Sequence, residues 1–159
     1  MNELIVKKSI IFSFIFGALL GLLAIFPFLN ALCFITLAFL SSPIVVCYMK
    51  KIKQLGIIDN QQGAIIGAFI GLFSTIGFFI SFVPMVLILH LIFRSKYYSY
   101  AIPYMFEDGV WLLFIIVFMV AVFFAVTNSV SGMATSYCLN FIEKKPEHHD
   151  AQLDIKIED

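Results

Sequence analysis

The chain has 159 residues, of which 62% are hydrophobic and 13% are charged, and its mean hydropathy is +1.02. In soluble domains roughly a quarter of the residues are charged, so this composition excludes an ordinary soluble domain. Ten basic residues balance ten acidic ones, and the net charge therefore gives no support to nucleic-acid binding or to a polyanionic partner.

Three long stretches of the chain contain no Asp, Glu, Lys or Arg. They cover residues 9–49, 60–93 and 109–142 and hold 41, 34 and 34 residues. A helix needs about 20 apolar residues to cross a bilayer core, so the first stretch can hold two crossings and each of the others can hold one. The pattern predicts an all-α membrane protein with four transmembrane helices.

The predicted helices, in chain order, cover residues 9–28, 31–49, 62–93 and 109–142. The break between the first two is assigned to Pro27 and Asn30. Pro27 disfavours helix at Phe26, and the side chain of Asn30 can cap the helix that follows. Asp108 is the predicted N-cap of the fourth helix, because negative charge is favourable at a helix N-terminus.

Two prolines fall inside predicted helices. Pro43 follows two serines in the second helix, and Pro84 lies in the third. Each proline removes one backbone hydrogen bond and is expected to kink its helix. Serine hydroxyls or a neighbouring helix are expected to satisfy the freed carbonyl, since the bilayer offers no other donor.

The positions of the basic residues predict the orientation. With four crossings, seven lysines fall on one side of the membrane and two basic residues on the other: Lys7, Lys8, Lys50, Lys51, Lys53, Lys144 and Lys145 against Arg94 and Lys96. By the positive-inside rule the side with seven lysines is cytoplasmic. This predicts a bundle of two hairpins in the plasma (inner) membrane, with both termini in the cytoplasm.

The same reading divides the chain into two parts. Residues 1–142 form the four-helix transmembrane domain, and residues 143–159 form a cytoplasmic tail with six acidic residues. We expect the tail to be disordered, as chain termini commonly are unless they dock onto the fold.

Small residues recur every four positions along the predicted helices. Lipid tails are as apolar as leucine, so membrane helices associate through the close packing of small residues. The glycines predicted to pack helices together are Gly17, Gly21, Gly63, Gly67, Gly71 and Gly132. Two interpretations are open: these glycines pack one bundle, or they form a glycine zipper that joins copies of the chain into an oligomer or pore.

The fourth predicted helix is longer than a crossing requires. Its 34 residues would extend roughly 50 Å, whereas the hydrocarbon core is about 30 Å thick. Its second half is rich in small and hydroxylated side chains, among them Thr127, Asn128, Ser131 and Thr135. This polar face is the candidate lining of a solute path, although packing against the glycines would need the same residue types.

The sequence carries no catalytic or metal-binding signature such as H-E-x-x-H, G-x-S-x-G or a cysteine pair at metal-ligand spacing. We therefore expect no enzymatic activity, no cofactor and no metal. An enzyme acting on lipids at the interface, a third class, would need reactive groups among His90, Glu107 and Asp108.

The leading hypothesis is a non-enzymatic structural or accessory membrane subunit. Its expected partners are the lipid bilayer and other membrane subunits or further copies of the chain. The alternative is a small oligomeric transporter or channel lined by the polar face of helix four. The first hypothesis predicts sensitivity to leucine at Gly67 or Gly71 and tolerance of apolar replacements at Thr127, Asn128 and Ser131, and the alternative predicts the reverse at Asn128.

A basic run followed by a Gly-Ala-x-x-Gly pattern is the basis of one resemblance to other proteins. The run Lys50-Lys51-Ile52-Lys53 is followed by Gly63-Ala64-Ile65-Ile66-Gly67. In this respect the chain resembles small four-span bacterial membrane proteins, in which a basic inner loop leads into a Gly-Ala-x-x-Gly helix. The resemblance implies a bacterial membrane protein and assigns no functional residue.

Overall fold

The computed structural model describes residues 3–52, 59–93 and 109–143, and these residues are helical apart from short turns. Four helices are long and apolar enough to span a membrane: Val6–Leu23, Pro27–Lys51, Asn60–Leu89 and Trp111–Ile142. The prediction of an all-helical chain with four such helices is therefore confirmed for the described residues.

The helical elements are α1 (Glu3–Leu23), α2 (Pro27–Ile35), a five-residue π-helix (Thr36–Leu40), α3 (Ser41–Lys51), α4 (Asn60–Phe93) and α5 (Val110–Glu143). The elements α2, the π-helix and α3 follow one another without a break, and we refer to Pro27–Lys51 as the second span. The π-helix in its middle was not predicted from the sequence.

The turn between the first two helices differs from the prediction. Helix α1 ends at Leu23 rather than at Phe28, and Pro27 begins α2. Proline suits the first position of a helix, because the amide there has no intrahelical acceptor and the fixed φ is already helical. Asn30 lies inside α2, where its backbone N–H donates to the Phe26 carbonyl at 3.1 Å, so its predicted capping role was wrong.

The ends of the longer helices agree with the prediction to within two residues. Helix α4 begins at Asn60, whose backbone N–H donates to the Asp59 carboxylate at 2.8 Å. Helix α5 begins after Gly109, which has a φ of 121° that favours glycine. The predicted cap Asp108 and the acidic tail beyond Glu143 lie outside the described residues.

Helix α4 lies at the centre of the packing. It packs along α1 on one side and along α5 on the other, while the second span contacts all three. Gly17 and Gly21 of α1 face Ser74 and Phe78 of α4, so these two helices run parallel. Helices α4 and α5 run antiparallel, since early residues of α4 face late residues of α5.

Two apolar clusters fill the space between the helices. The first surrounds Phe78, whose ring centroid lies 5.0 Å from that of Phe34 in the second span. The second cluster joins Met49 and Val46 of α3 to Ile70 of α4. Together the two clusters pack the second span against the other helices along nearly its whole length.

Candidate functional site

The second span contains a local break in α-helical hydrogen bonding. Its π-helix, Thr36–Leu40, is followed closely by Pro43. Pro43 has no amide hydrogen, so the carbonyl of Phe39, four residues earlier, has no α-helical donor. In an apolar environment such a carbonyl must find a donor elsewhere in the protein.

Asn128 of α5 lies against this break and is fully buried. Its Nδ2 donates to the carbonyls of Leu37 and Ala38 at 3.0 Å each, and to the Phe124 carbonyl in its own helix at 2.9 Å. Its Oδ1 accepts from the Ser41 hydroxyl at 2.7 Å and from the Ser42 backbone N–H at 3.0 Å. One amide side chain therefore replaces several helical hydrogen bonds of the second span.

Two hydroxyls of α5 extend these contacts along the same side of the helix. The Thr127 hydroxyl donates to the Ala38 carbonyl at 2.9 Å, and the Ser131 hydroxyl donates to the Phe39 carbonyl at 2.8 Å. Ser131 thus supplies the donor that Pro43 cannot. We call Thr127, Asn128 and Ser131, with the carbonyls of residues 37–39, the polar seam.

Thr135, the fourth residue of the predicted polar path, is not part of the polar seam. Its hydroxyl donates to the Ser131 carbonyl, four residues earlier in the same helix, at 2.8 Å. This back-bonding is the usual arrangement for a threonine inside an apolar helix. The structure therefore brings three of the four predicted residues together.

These bonds change one expectation drawn from the sequence. Apolar replacement of Asn128 was expected to be harmless to a structural protein and harmful only to a channel. In the structure, replacing Asn128 would leave the Ser42 amide without this partner inside the bundle, although the Ser41 hydroxyl would still reach the Leu37 carbonyl at 3.1 Å. Asn128 thus takes part in the packing of α5 against the second span, and a loss of function on its replacement would not by itself indicate a channel.

The two predicted packing glycines of α1 lie directly against the backbone of α4. A Cβ added at Gly17 would overlap the Ser74 carbonyl group, and one added at Gly21 would lie 2.5 Å from the Phe78 carbonyl oxygen. Between them, the Ser81 hydroxyl donates to the Ala18 carbonyl at 2.9 Å. The two parallel helices are therefore in backbone contact.

The other four predicted glycines lie between α4 and α5, and two of them, Gly67 and Gly132, also lie against Ser42 of α3. A Cβ at Gly132 would lie 2.5 Å from the Gly63 carbonyl oxygen and 2.7 Å from the Ser42 hydroxyl oxygen. A Cβ at Gly67 would lie 3.0 Å from the same hydroxyl, and one at Gly71 would lie 2.5 Å from the Phe124 carbonyl oxygen. All six glycines thus face helices of the same chain.

Sequence reasoning missed the π-helix and the partners of Asn128. The π-helix has no sequence signature here, because the composition of Thr36–Leu40 is that of an ordinary apolar helical segment. A signal for the polar seam was available, since an asparagine inside an apolar helix requires a partner and Pro43 requires a donor. Combining these two requirements would have paired α5 with the second span.

The polar seam predicts a measurable coupling between Pro43 and Ser131. In the native chain, Ser131→Ala should lower the free energy of unfolding by about 1 kcal/mol, because the Phe39 carbonyl loses its donor. In the Pro43→Ala background the new backbone amide can serve that carbonyl, so Ser131→Ala should cost much less. Unfolding titrations of the four proteins in mixed SDS micelles measure this coupling, and additivity within about 0.3 kcal/mol would contradict it.

Comparison of the chain with protein families, with curated proteins and with solved structures found no match. Among residues 3–52, 59–93 and 109–143 no group of three or more His, Cys, Asp or Glu is arranged to hold a metal ion. Over the described residues the fold defines a class, an all-helical chain with four helices long and apolar enough to span a membrane.

Proposed function

We propose that the protein is a non-enzymatic, multi-pass integral membrane protein that serves as a structural or accessory subunit. The observation that carries this proposal is the polar seam. Three of the four polar side chains of α5 that a solute path would use are bonded to the backbone of the second span, and Asn128 is fully buried. An internally bonded bundle suits a scaffold or accessory role.

We propose that the bundle lies in the plasma (inner) membrane with both termini in the cytoplasm. The Ser9 hydroxyl contacts the Met49 sulfur at 3.3 Å, so Lys8 and Lys50 lie at the same end of the bundle. The positive-inside rule favours the cytoplasm for such an end. The bacterial origin that we propose for the protein rests on its resemblance to small four-span bacterial membrane proteins in the basic loop and the Gly-Ala-x-x-Gly pattern.

Cysteine labelling tests this orientation. In a background without Cys33, Cys47 and Cys138, a single cysteine at Asn2 should react with a membrane-impermeant maleimide only after the cells are lysed. A single cysteine at Ser99, between the third and fourth spanning helices, should react in intact cells. The opposite pattern would reverse the orientation, and equal labelling of both sites in intact cells would contradict four crossings.

The alternative function, a small oligomeric transporter or channel, requires the polar seam to open to water. Opening would expose Thr127 and Asn128 only if their bonds to the Leu37 and Ala38 carbonyls were broken. The discontinuity at the π-helix is the feature that favours this alternative, because irregular helices occur at transport sites.

Reconstitution distinguishes the two functions. The purified chain in sealed liposomes should give no flux of potassium, protons or small neutral solutes above that of empty liposomes. A flux that depends on protein dose and is altered by Ser131→Ala, with Ser129→Ala as the control on another face of α5, would overturn the structural proposal in favour of the channel.

A further inference from the structure

Four lysines gather at one end of the bundle, at the edge shared by α1 and α3. Lys7 and Lys8 lie just before Ser9, and Lys50 and Lys51 lie just after Met49. The Ser9 hydroxyl lies 3.3 Å from the Met49 sulfur, so the two lysine pairs flank one interhelical contact. The side chains of Lys7 and Lys51 are exposed, and those of Lys8 and Lys50 are half-buried.

An apolar groove lies between α1 and α3, and its lining starts one turn after Ser9 at Phe12 and ends one residue before Met49 at Tyr48. It has a volume of about 330 Å³, and it is lined by Phe12, Ile15, Phe16 and Leu19 of α1 and by Ile44, Val45 and Tyr48 of α3. The rings of Phe12 and Tyr48 meet edge to face with their centroids 5.4 Å apart. From Phe12 to Leu19 the groove extends along α1 for roughly 10 Å, a large part of one bilayer leaflet.

The shape and lining of the groove favour a lipid chain over a helix. Close helix packing needs small residues, whereas bulky aromatic and branched side chains line this groove. A second helix is also about 10 Å across with its side chains. A flexible hydrocarbon chain can follow an irregular apolar surface, and the lysines at the same end of α1 and α3 match a negatively charged headgroup.

We propose that this groove is a binding site for one anionic phospholipid, with an acyl chain between α1 and α3 and the headgroup phosphate among Lys7, Lys8, Lys50 and Lys51. Basic clusters beside membrane helices attract anionic lipids, and each lysine near the surface adds to that attraction. The inference rests on the proposed membrane location, but it requires neither a structural nor a transport role.

Native mass spectrometry of the full chain in detergent, with phosphatidylglycerol or phosphatidylcholine added, tests the site. We expect one phosphatidylglycerol to be retained per chain in preference to phosphatidylcholine. Replacing all four lysines by glutamine should weaken phosphatidylglycerol retention at least tenfold. Replacing the same four by arginine keeps the charge and should leave retention close to that of the native chain.

A second pair of variants tests the groove separately from the charge. Ile15 lines the groove and Ile11 does not, although their side chains are similarly exposed, at 51% and 50%. Ile15→Trp should fill the groove and reduce retention of phosphatidylglycerol, whereas Ile11→Trp should leave it unchanged. Far-UV circular dichroism confirms that each variant is folded before lipid is added.

Three results would overturn the proposed lipid site. Equal retention of both lipids, or phosphatidylglycerol retention that survives loss of the four lysines, would overturn the site. Retention that depends on the lysines but is identical for Ile15→Trp and Ile11→Trp would also overturn it, because the headgroup alone would then be bound. Since binding is measured in detergent, failure of the site leaves the proposed function untouched, and flux in liposomes tests that function independently.

Discussion

Replacing Gly17 with alanine is expected to destabilise the bundle by more than about 3 kcal/mol. In a helix with open space, alanine would be more favourable than glycine by roughly 1 kcal/mol. At Gly17 the added Cβ would overlap the Ser74 carbonyl group, which is backbone and cannot rotate away. Helices α1 and α4 would have to separate, and the contacts of Gly21 with Phe78 and of Ser81 with Ala18 would be lost with them.

The unfolding of Gly17→Ala can be followed by far-UV circular dichroism during SDS titration in mixed micelles. Ala134→Leu is the control, since it adds more volume at an exposed position of α5 and should change the midpoint little. Because Gly17 faces α4 of its own chain, the variant should lose stability at all protein concentrations. A variant that keeps the native midpoint but changes its oligomeric mass would instead place Gly17 in an interface between copies.

Replacing Asn128 with leucine is expected to cost about 2–4 kcal/mol. Four of the five hydrogen bonds of its side chain join it to the second span. Hydrogen bonds between membrane helices are worth about 0.6 kcal/mol on average, while a buried group left unpaired costs about 1–3 kcal/mol. The Ser42 amide would lose its partner, whereas the Ser41 hydroxyl would still serve the Leu37 carbonyl and the Thr127 hydroxyl the Ala38 carbonyl.

Ser129→Ala is the matched control for Asn128→Leu. Ser129 is the next residue of α5, but it lines a groove with Ala64 and Ala68 on the side facing α4. Its replacement should change stability by less than about 0.5 kcal/mol. Equal effects of the two substitutions would show that Asn128 contributes no more than an ordinary polar residue, contrary to its four hydrogen bonds with the second span.

The sequence predicted the helices well because the absence of charged residues over long stretches is a strong signal. It can be recognised along the chain without knowledge of three-dimensional contacts. Long uncharged stretches define spanning helices by length alone, and α4 and α5 begin and end within two residues of the predicted limits. The turn near Pro27 was misplaced, because proline is compatible both with ending one helix and with beginning the next. Composition does not distinguish these two positions.

The candidate site was predicted as a set of residue types and not as a set of partners. Thr127, Asn128 and Ser131 were identified because they are polar within an apolar helix. Their acceptors in the second span are the backbone carbonyls of residues 37–39. Every residue of any sequence has a backbone carbonyl, so the sequence does not indicate which carbonyls are used. Only the relative placement of α5 and the second span selects those carbonyls, and that placement depends on the three-dimensional packing of Gly67, Gly132 and Ser42.

The polar seam joins α5 to the second span of the same chain. In a background without native cysteines, Ser41→Cys combined with Asn128→Cys should form a disulfide on mild oxidation in membranes, because the Ser41 hydroxyl lies 2.7 Å from the Asn128 amide oxygen and both side chains are buried. Ser41→Cys with Val130→Cys, whose side chain is 67% exposed, should not. We expect a cross-linked band at the mass of one chain. A band at twice that mass, formed when two differently tagged single-cysteine chains are expressed together, would contradict it.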